Sequence, residues 1–132
     1  MGLCIEWRAN AKRDAYRDPC VKEQCLDYPS KRALKLRRQM FSFAARVMDS
    51  QRRLFLFAVD VYSDRARLYR FDPSSVVVSE PILFRKDSKL LDQFFSRYSS
   101  VSPAERGYDP TIIPATKAKK VLFQTRINEH FE

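Results

Sequence analysis

The stretch LFLFAVDVYSDRARLYRFDPSSVVVSEPILF, Leu54 to Phe84, decides the fold because it predicts three consecutive β-strands. Its first part, LFLFAVDV, is apolar on both alternating faces, which is typical of a central strand covered on both sides. YSDR turns the chain into a second strand, ARLYRF. The residues Asp72-Pro73-Ser74-Ser75 have the composition of another tight turn. VVVSEPILF gives the third strand, in which Pro81 favours a sheet edge or a strand end.

The residues before this stretch predict one more strand and a long helix. Residues 3–8, LCIEWR, alternate apolar and polar side chains and indicate a half-buried strand. Residues 9–30 are polar and read as a long loop. Ser30 can cap a helix that continues to Arg52 without Gly or Pro. The predicted apolar face of this helix is Leu36, Met40, Phe43, Ala44 and Val47.

Two more helices follow the strands. DSKLLDQFFSRY predicts a helix that begins at Asp87, with Leu90, Leu91, Phe94 and Phe95 as its buried stripe. The last 17 residues predict a second helix, with Phe123, Ile127 and Phe131 on one face. The fold class is therefore α/β or α+β, a small mixed sheet with helices packed on it. The order is strand, loop, helix, three strands, helix, helix, with one domain over 1–113 and a helical segment or linker over 114–132.

The positive charge is concentrated in the first half of the chain. Residues 1–70 hold 16 Lys and Arg against 8 Asp and Glu, or +8 of the total net charge of +9. The densest run is KRALKLRR, in which the candidate anion-binding or nucleic-acid-binding residues are Lys31, Arg32, Lys35, Arg37 and Arg38. A solvated helix face that keeps the domain soluble is the alternative interpretation.

Several catalytic and metal chemistries find no support in these residues. The chain has two glycines, Gly2 and Gly107, so it cannot build a Walker loop or a kinase glycine-rich loop. The single histidine, His130, is the third residue from the end of the sequence and no G-x-S-x-G motif occurs, so the residues do not indicate a hydrolytic triad. A zinc site from Cys4, Cys20, Cys25 and His130 is a weak alternative to ordinary thiols. We expect no catalytic residues, no metal and no membrane span, and a location in the cytoplasm or nucleus.

One constellation resembles the PD-(D/E)XK nuclease superfamily. A strand bearing Glu6-x-Arg8 precedes a helix bearing Gln39 and Phe43, as in the E-x-K strand and Q-x-x-x-Y helix of that superfamily. Arg8 replaces the lysine, and arginine cannot exchange a proton as a lysine does. We expect a remnant of the nuclease fold in Glu6, Arg8 and Gln39, without its activity. Gln39 is expected to be partly buried and to bond a neighbouring backbone group.

A second resemblance covers nearly the whole chain. The segments RRQMFSFA, QRR, RLYRFDPSSVVVSE, FFSRY and SPAERGYDPT follow one another as do motifs of the fungal-type protein kinase family, and CIEWRANAKRDAYRDP is similar to an early strand and loop of that family. Here Asp72-Pro73-Ser74-Ser75 replaces the family's D-R-x-G turn. In the family this region precedes the kinase lobes.

The resemblance implies a non-catalytic regulatory or scaffolding region of a protein kinase. Its partner would be a kinase domain, in cis or in trans, or another protein, and ATP and Mg²⁺ would belong only to the full-length context. Arg67, Arg70 and Glu80 are then expected to pair across the hairpin as frame residues. Two alternatives stay open: a basic nucleic-acid-binding remnant of a nuclease-like fold, and a gene fragment without present function.

Overall fold

The predicted mixed sheet with helices packed on it is confirmed. The computed structural model describes residues 3–7, 14–16 and 30–131. The elements are β1 (Cys4–Trp7), α1 (Lys31–Gln51), β2 (Leu56–Val61), β3 (Ala66–Phe71), β4 (Val76–Val78), α2 (Lys89–Ser100) and α3 (Lys117–Phe131). Arg8 and most of the predicted loop lie outside the described residues.

The sheet has the strand order β1-β2-β3-β4. β1 runs parallel to β2 and places Glu6 opposite Asp60, whereas β2–β3 and β3–β4 are antiparallel. β2 is an inner strand, as its apolar sequence predicts, and β4 lies at an edge, as Pro81 predicts. After β4 the chain returns to the sheet, where Ile82 forms a bridge with Ala66 at the start of β3.

α1 covers one face of the sheet. It begins because the Ser30 side chain accepts a hydrogen bond from the backbone N–H of Ala33. Its buried residues, Met40, Ala44 and Met48, pack in one cluster with Leu56, Tyr69 and Phe71 of the strands. Phe43 was predicted to belong to the buried face but is 45% exposed, because it lies at the flank of the buried row.

α2 covers part of the opposite face through aromatic contacts. The ring of Phe57 in β2 meets Phe94 and Tyr98 edge to face, with ring centroids 6.0 Å apart in both pairs. α2 begins at Lys89 rather than Asp87, and none of its residues is fully buried. The prediction of a buried Leu90 is wrong, since this side chain is 63% exposed. The helix meets the sheet through Phe94 and Tyr98, so its first turn stays in solvent.

The segment after α2 docks on the junction between α1 and β2. The Arg53 guanidinium is buried, donates to the carbonyl of Arg106 at 3.0 Å and to the hydroxyl of Tyr108 at 2.6 Å, and lies over the Tyr108 ring. Gly107 has a φ of 99°, and a Cβ at this position would overlap the Phe55 carbonyl. A glycine is therefore required where the two segments meet.

α3 forms as predicted but buries little of its surface. Its described side chains are exposed, except that of Ile127, which is half-buried; the side chain of Phe131 lies outside the described residues. Among the helices that the structure describes, none is long and apolar enough to span a membrane. The domain boundary at residues 113/114 stays a prediction.

Candidate functional site

A buried polar network lies at the end of the sheet face that α1 covers. Arg67 of β3 donates to the Asp14 carboxylate at 2.9 Å, and both side chains are at most 5% exposed. Arg67 also donates to the carbonyl of Tyr16 at 2.6 Å and to that of Ser79 at 2.9 Å. The Arg67 guanidinium therefore links β3 to residues 14–16 and to the segment that follows β4.

Tyr62 connects a second carboxylate to this network. Its hydroxyl lies 2.8 Å from Asp60 and 3.3 Å from Asp14, and its single proton can serve one of them at a time. Burial, followed by the nearby Tyr69 and Asp60, raises the pKa of Tyr62 above its ordinary value. The hydroxyl therefore remains a donor, which is the role that two acceptor carboxylates require.

A pocket of about 760 Å³ opens beside this network, between the first half of α1 and the β1 side of the sheet. The strands supply two carboxylates, Glu6 and Asp60, and α1 supplies Arg32, Lys35 and Gln39. Its remaining lining is mostly apolar or aromatic: Cys4, Ile5, Leu36, Met40, Phe43, Ala58, Val59, Tyr69 and Phe71. The pocket thus has a basic wall, an acidic wall and an apolar floor.

Two of the three nuclease-like residues meet in this pocket. Glu6 and Gln39 line it together, whereas Arg8 lies outside the described residues. The prediction that Gln39 is partly buried is wrong: the side chain is exposed, because it precedes the buried Met40 and so lies about 100° away around the helix. Within the described residues no group of three or more His, Cys, Asp or Glu side chains could hold a metal ion.

Of the possible zinc ligands that the structure describes, Cys4 and His130, the first lines the pocket. Burial, and then the nearby Glu6, raises the pKa of the Cys4 thiol. A protonated thiol is a poor metal ligand and a poor nucleophile. Cys20 and Cys25 lie outside the described residues.

The five basic residues of the run at the start of α1 have different surroundings. Arg37 donates to the Ala15 carbonyl at 2.9 Å and lies 4.3 Å from the centre of the Tyr16 ring, so it holds residues 14–16 in place. Arg32 and Lys35 line the pocket. Lys31 and Arg38 are exposed and do not line it. The predicted anion-binding set therefore divides into a structural, a pocket and a surface group.

Arg67 and Arg70 of the hairpin contact other parts of the fold. Arg67 donates to the carbonyl of Ser79, which directly follows β4, and pairs with the Asp14 carboxylate. Arg70 lies 3.8 Å from Asp72 and covers the ring of Phe55. Pairing of Arg67 and Arg70 with Glu80 itself stays a prediction.

Sequence reasoning missed the carboxylates of the network. Asp60 could have been noticed, because it is the one charged residue in the apolar strand LFLFAVDV. Asp14 gives no such signal, since it stands in a polar segment among several charges. Tyr62 was assigned to a turn, and its burial follows from its packing after β2.

The described residues do not form the glycine-rich phosphate cradle with which kinases hold ATP, and no group of three or more metal-binding side chains among them could hold Mg²⁺. A phosphate cradle needs glycines whose N–H groups face the ligand. Gly107, the glycine in the described part of the chain, is instead packed against the Phe55 carbonyl, and its N–H donates to Ala104. No step of phosphoryl transfer follows from these residues.

Comparisons with known proteins identify the family. A family model described as fungal protein kinase matches residues 11–132. Searches of curated proteins and of solved structures gave no significant match. Because the family model covers most of the chain, the assignment does not depend on the short motifs. The chain belongs to the fungal protein kinase family.

Proposed function

We propose that this chain is a non-catalytic regulatory or scaffolding region of a fungal protein kinase, which works by docking on a kinase catalytic lobe. Membership of the family supports the choice of partner. The frame role of Arg67 and Arg53, both buried among structural partners, supports a scaffold rather than a reaction centre. The observation that carries the proposal is the apolar surface of α3.

Helix α3 and the residues before it expose an unusual amount of apolar surface. Val121, Leu122 and Phe123 are 66%, 56% and 68% exposed, and Ile112 and Ile113 are 51% and 82% exposed. Five large apolar side chains exposed within twelve residues of the chain support an interaction site here. Burying Leu122 and Phe123 would contribute about 3–6 kcal/mol before the costs of association.

The charges of α3 indicate the rim of that interface. Its basic residues are Lys117, Lys119, Lys120 and Arg126, all exposed. A partner groove with an apolar floor and an acidic rim would complement this helix. We propose that the catalytic lobe of the kinase, joined in cis or supplied in trans, provides that groove.

The test measures the affinity of the full chain for a separately purified catalytic region of a protein kinase of this family, by isothermal titration calorimetry. We expect L122E/F123E to weaken binding at least tenfold, because two charges enter the apolar contact. The matched control Q124E/N128E places the same two charges at exposed positions on the side of α3 that faces away from Leu122 and Phe123, and it should change the affinity less than threefold. Absence of binding by the wild-type chain, or an equal loss in both variants, would reject the proposal.

A second candidate function is supported by the outer face of α1. Lys31, Arg38 and Arg46 are exposed, lie outside the pocket and recur near one side of the helix, over about 22 Å of its length. Such a row matches the spacing of a phosphate backbone better than that of a single ligand. We propose non-specific nucleic-acid binding as the function to test if α3 does not dock.

Fluorescence anisotropy with a labelled DNA duplex tests this second candidate. Three phosphate contacts predict that log Kobs falls with log[salt] with a slope of about −2.7. The variant K31Q/R38Q should reduce the slope by about 1.8. A slope near zero, or no measurable binding at low salt, would exclude nucleic acid as a ligand.

A further inference from the structure

The pocket beside α1 has opposite charges on its two walls. Arg32 and Lys35 lie on the helix wall, and Glu6 and Asp60 lie on the strand wall, at paired positions of β1 and β2. The volume of about 760 Å³ falls in the range of about 300–1,000 Å³ that is usual for small-molecule sites. The space is therefore large enough for a ligand with two different ends.

The two cations of the pocket lack partners within the described part of the chain. Neither Arg32 nor Lys35 forms an ion pair or hydrogen bond with another described residue. Both stand in the first turns of α1, which contains no acidic residue in its first turn. The positive end of a helix dipole disfavours cations there, so the stability of the helix does not account for their position.

The rest of the lining is suited to an apolar body with hydrogen-bonding groups. Phe43 is 45% exposed, and Met40 and Phe71 continue its apolar surface into the protein. Tyr69 also lines the pocket. Gln39 adds an exposed amide. The carboxylates can accept hydrogen bonds from a ligand that carries several donors, and the amide can donate to its phosphate.

We infer that this pocket binds a small phosphate ester whose body carries an apolar ring and hydrogen-bond donors. Arg32, Lys35 and the amide N–H of Gln39 contact the phosphate, the apolar floor packs against the ring, and Glu6 accepts from its donors. A pocket of this volume suits a small ligand, whereas a nucleic-acid backbone would follow the outer row of cations. This site is separate from α3, and it does not depend on the docking proposed above.

Adenosine monophosphate is the probe for this site, because it combines a phosphate, an aromatic ring and donor groups. Binding to the full chain is followed by isothermal titration calorimetry at constant ionic strength, alongside adenosine and inorganic phosphate. We expect the nucleotide to bind at least tenfold more tightly than either fragment. Equal binding of adenosine, equal binding of inorganic phosphate, or no binding of the nucleotide would overturn the inference.

Matched charge variants of α1 locate the site. R32Q/K35Q should weaken binding of the nucleotide at least tenfold, whereas K31Q/R38Q, which removes the same charge from the same helix outside the pocket, should change it less than twofold. All four side chains are exposed, so we expect the folded structure to persist. A similar loss in both variants would show that the overall positive charge, and not the pocket, attracts the probe.

A single-residue change gives an independent check. Q39E places a negative charge beside the expected phosphate and should weaken binding of the nucleotide at least fivefold. The control Q51E adds the same charge at the exposed end of α1, away from the pocket residues. No difference between these two variants would contradict the assignment of the pocket.

Discussion

Arg53 and Arg67 are buried, and each guanidinium fixes segments that lie more than fifty residues apart in the sequence. Arg67 joins Asp14 and Tyr16 to the hairpin, and Arg53 joins the end of α1 to Tyr108. A guanidinium suits this task because its donors are arranged in a rigid plane that can bind several acceptors at once. These two buried arginines therefore hold distant segments of the fold together, in addition to the apolar core.

Substitution of Arg67 should be strongly destabilising. R67Q leaves the buried Asp14 carboxylate without its guanidinium, and loss of one partner of a buried pair costs about 3–5 kcal/mol. Urea unfolding of the wild type and the variant measures this difference. R65Q is the control, because the Arg65–Asp64 pair is 33% and 44% exposed and should contribute at most about 1 kcal/mol. Comparable losses in the two variants would show that Arg67 does not act as a buried clamp.

Asp72 should titrate at an unusually acidic pH. Its carboxylate accepts hydrogen bonds from the hydroxyl of Ser75 and from the backbone and hydroxyl of Ser74, and these lower its pKa to about 2. A pKa that is depressed on folding stabilises the turn above about pH 4, and this stabilisation is lost as the pH falls towards 2. We expect a carboxyl NMR titration to give a pKa near 2 in the wild type.

The variant S75A tests the cause of that shift. Loss of the Ser75 hydroxyl removes the largest contribution, so the pKa of Asp72 should move up towards its ordinary value. S63A, at an exposed turn outside this hydrogen-bond set, serves as the control. An unchanged pKa of Asp72 in S75A would mean that the backbone of the turn, and not the hydroxyl, holds the carboxylate ionised.

At the scale of elements, the sheet is covered unequally on its two faces. α1 packs its buried methionines on β2 and β3, whereas α2 reaches the sheet through aromatic edges and buries no residue completely. The segment around Gly107 adds contacts at the junction between α1 and β2. The N–H of Leu54 donates to the Gly107 carbonyl, and the N–H of Asp109 donates to the Arg52 carbonyl.

Gly107 should be essential to that closure. In G107A the methyl group would meet the Phe55 carbonyl, and the left-handed backbone adds about 1–2 kcal/mol of strain. We expect a loss of at least about 2 kcal/mol in the free energy of unfolding. A104S changes an exposed residue of the same turn and should be neutral within about 0.5 kcal/mol. A stable G107A protein would show that this segment is not docked as described.

The sequence predicted the elements better than their contacts. The apolar pattern of LFLFAVDV identified an inner strand, and Ser30 identified the start of α1, because both depend on local periodicity and capping. The pairing of Arg53 with Tyr108 and of Arg67 with Asp14 depends on how distant segments meet, which no local pattern contains. The short motifs around Gln51–Arg53 and Ser102–Thr111 were recognised separately, and the structure shows that they touch.

The sequence predicted only part of the candidate site, because the site also depends on how distant segments meet. Glu6 and Gln39 were singled out by their spacing and do line one pocket. The basic run was treated as one surface, but the contacts of the Arg37 guanidinium with Ala15 and Tyr16 give it a structural role. Helical periodicity gives the direction of each side chain on α1, whereas the shape of the pocket depends on the position of β1.

At the scale of the whole molecule, the buried polar network and the pocket lie on different elements from the exposed apolar side chains. The network and the pocket occupy the face that α1 covers, and the exposed apolar side chains lie on α3 and just before it. On the docking proposal, a partner would bind α3 while the pocket stays accessible. A regulatory module that holds a partner and responds to a second ligand would use such a separation.

Hydrogen–deuterium exchange of the full chain, alone and with the catalytic region of a protein kinase of this family, tests the docking proposal most directly. We predict slower exchange in Lys117–Phe131 and in residues 112 and 113 when the partner is present, with little change in α1. Slower exchange confined to α1, or no change in α3 at partner concentrations that give a complex, would contradict the account.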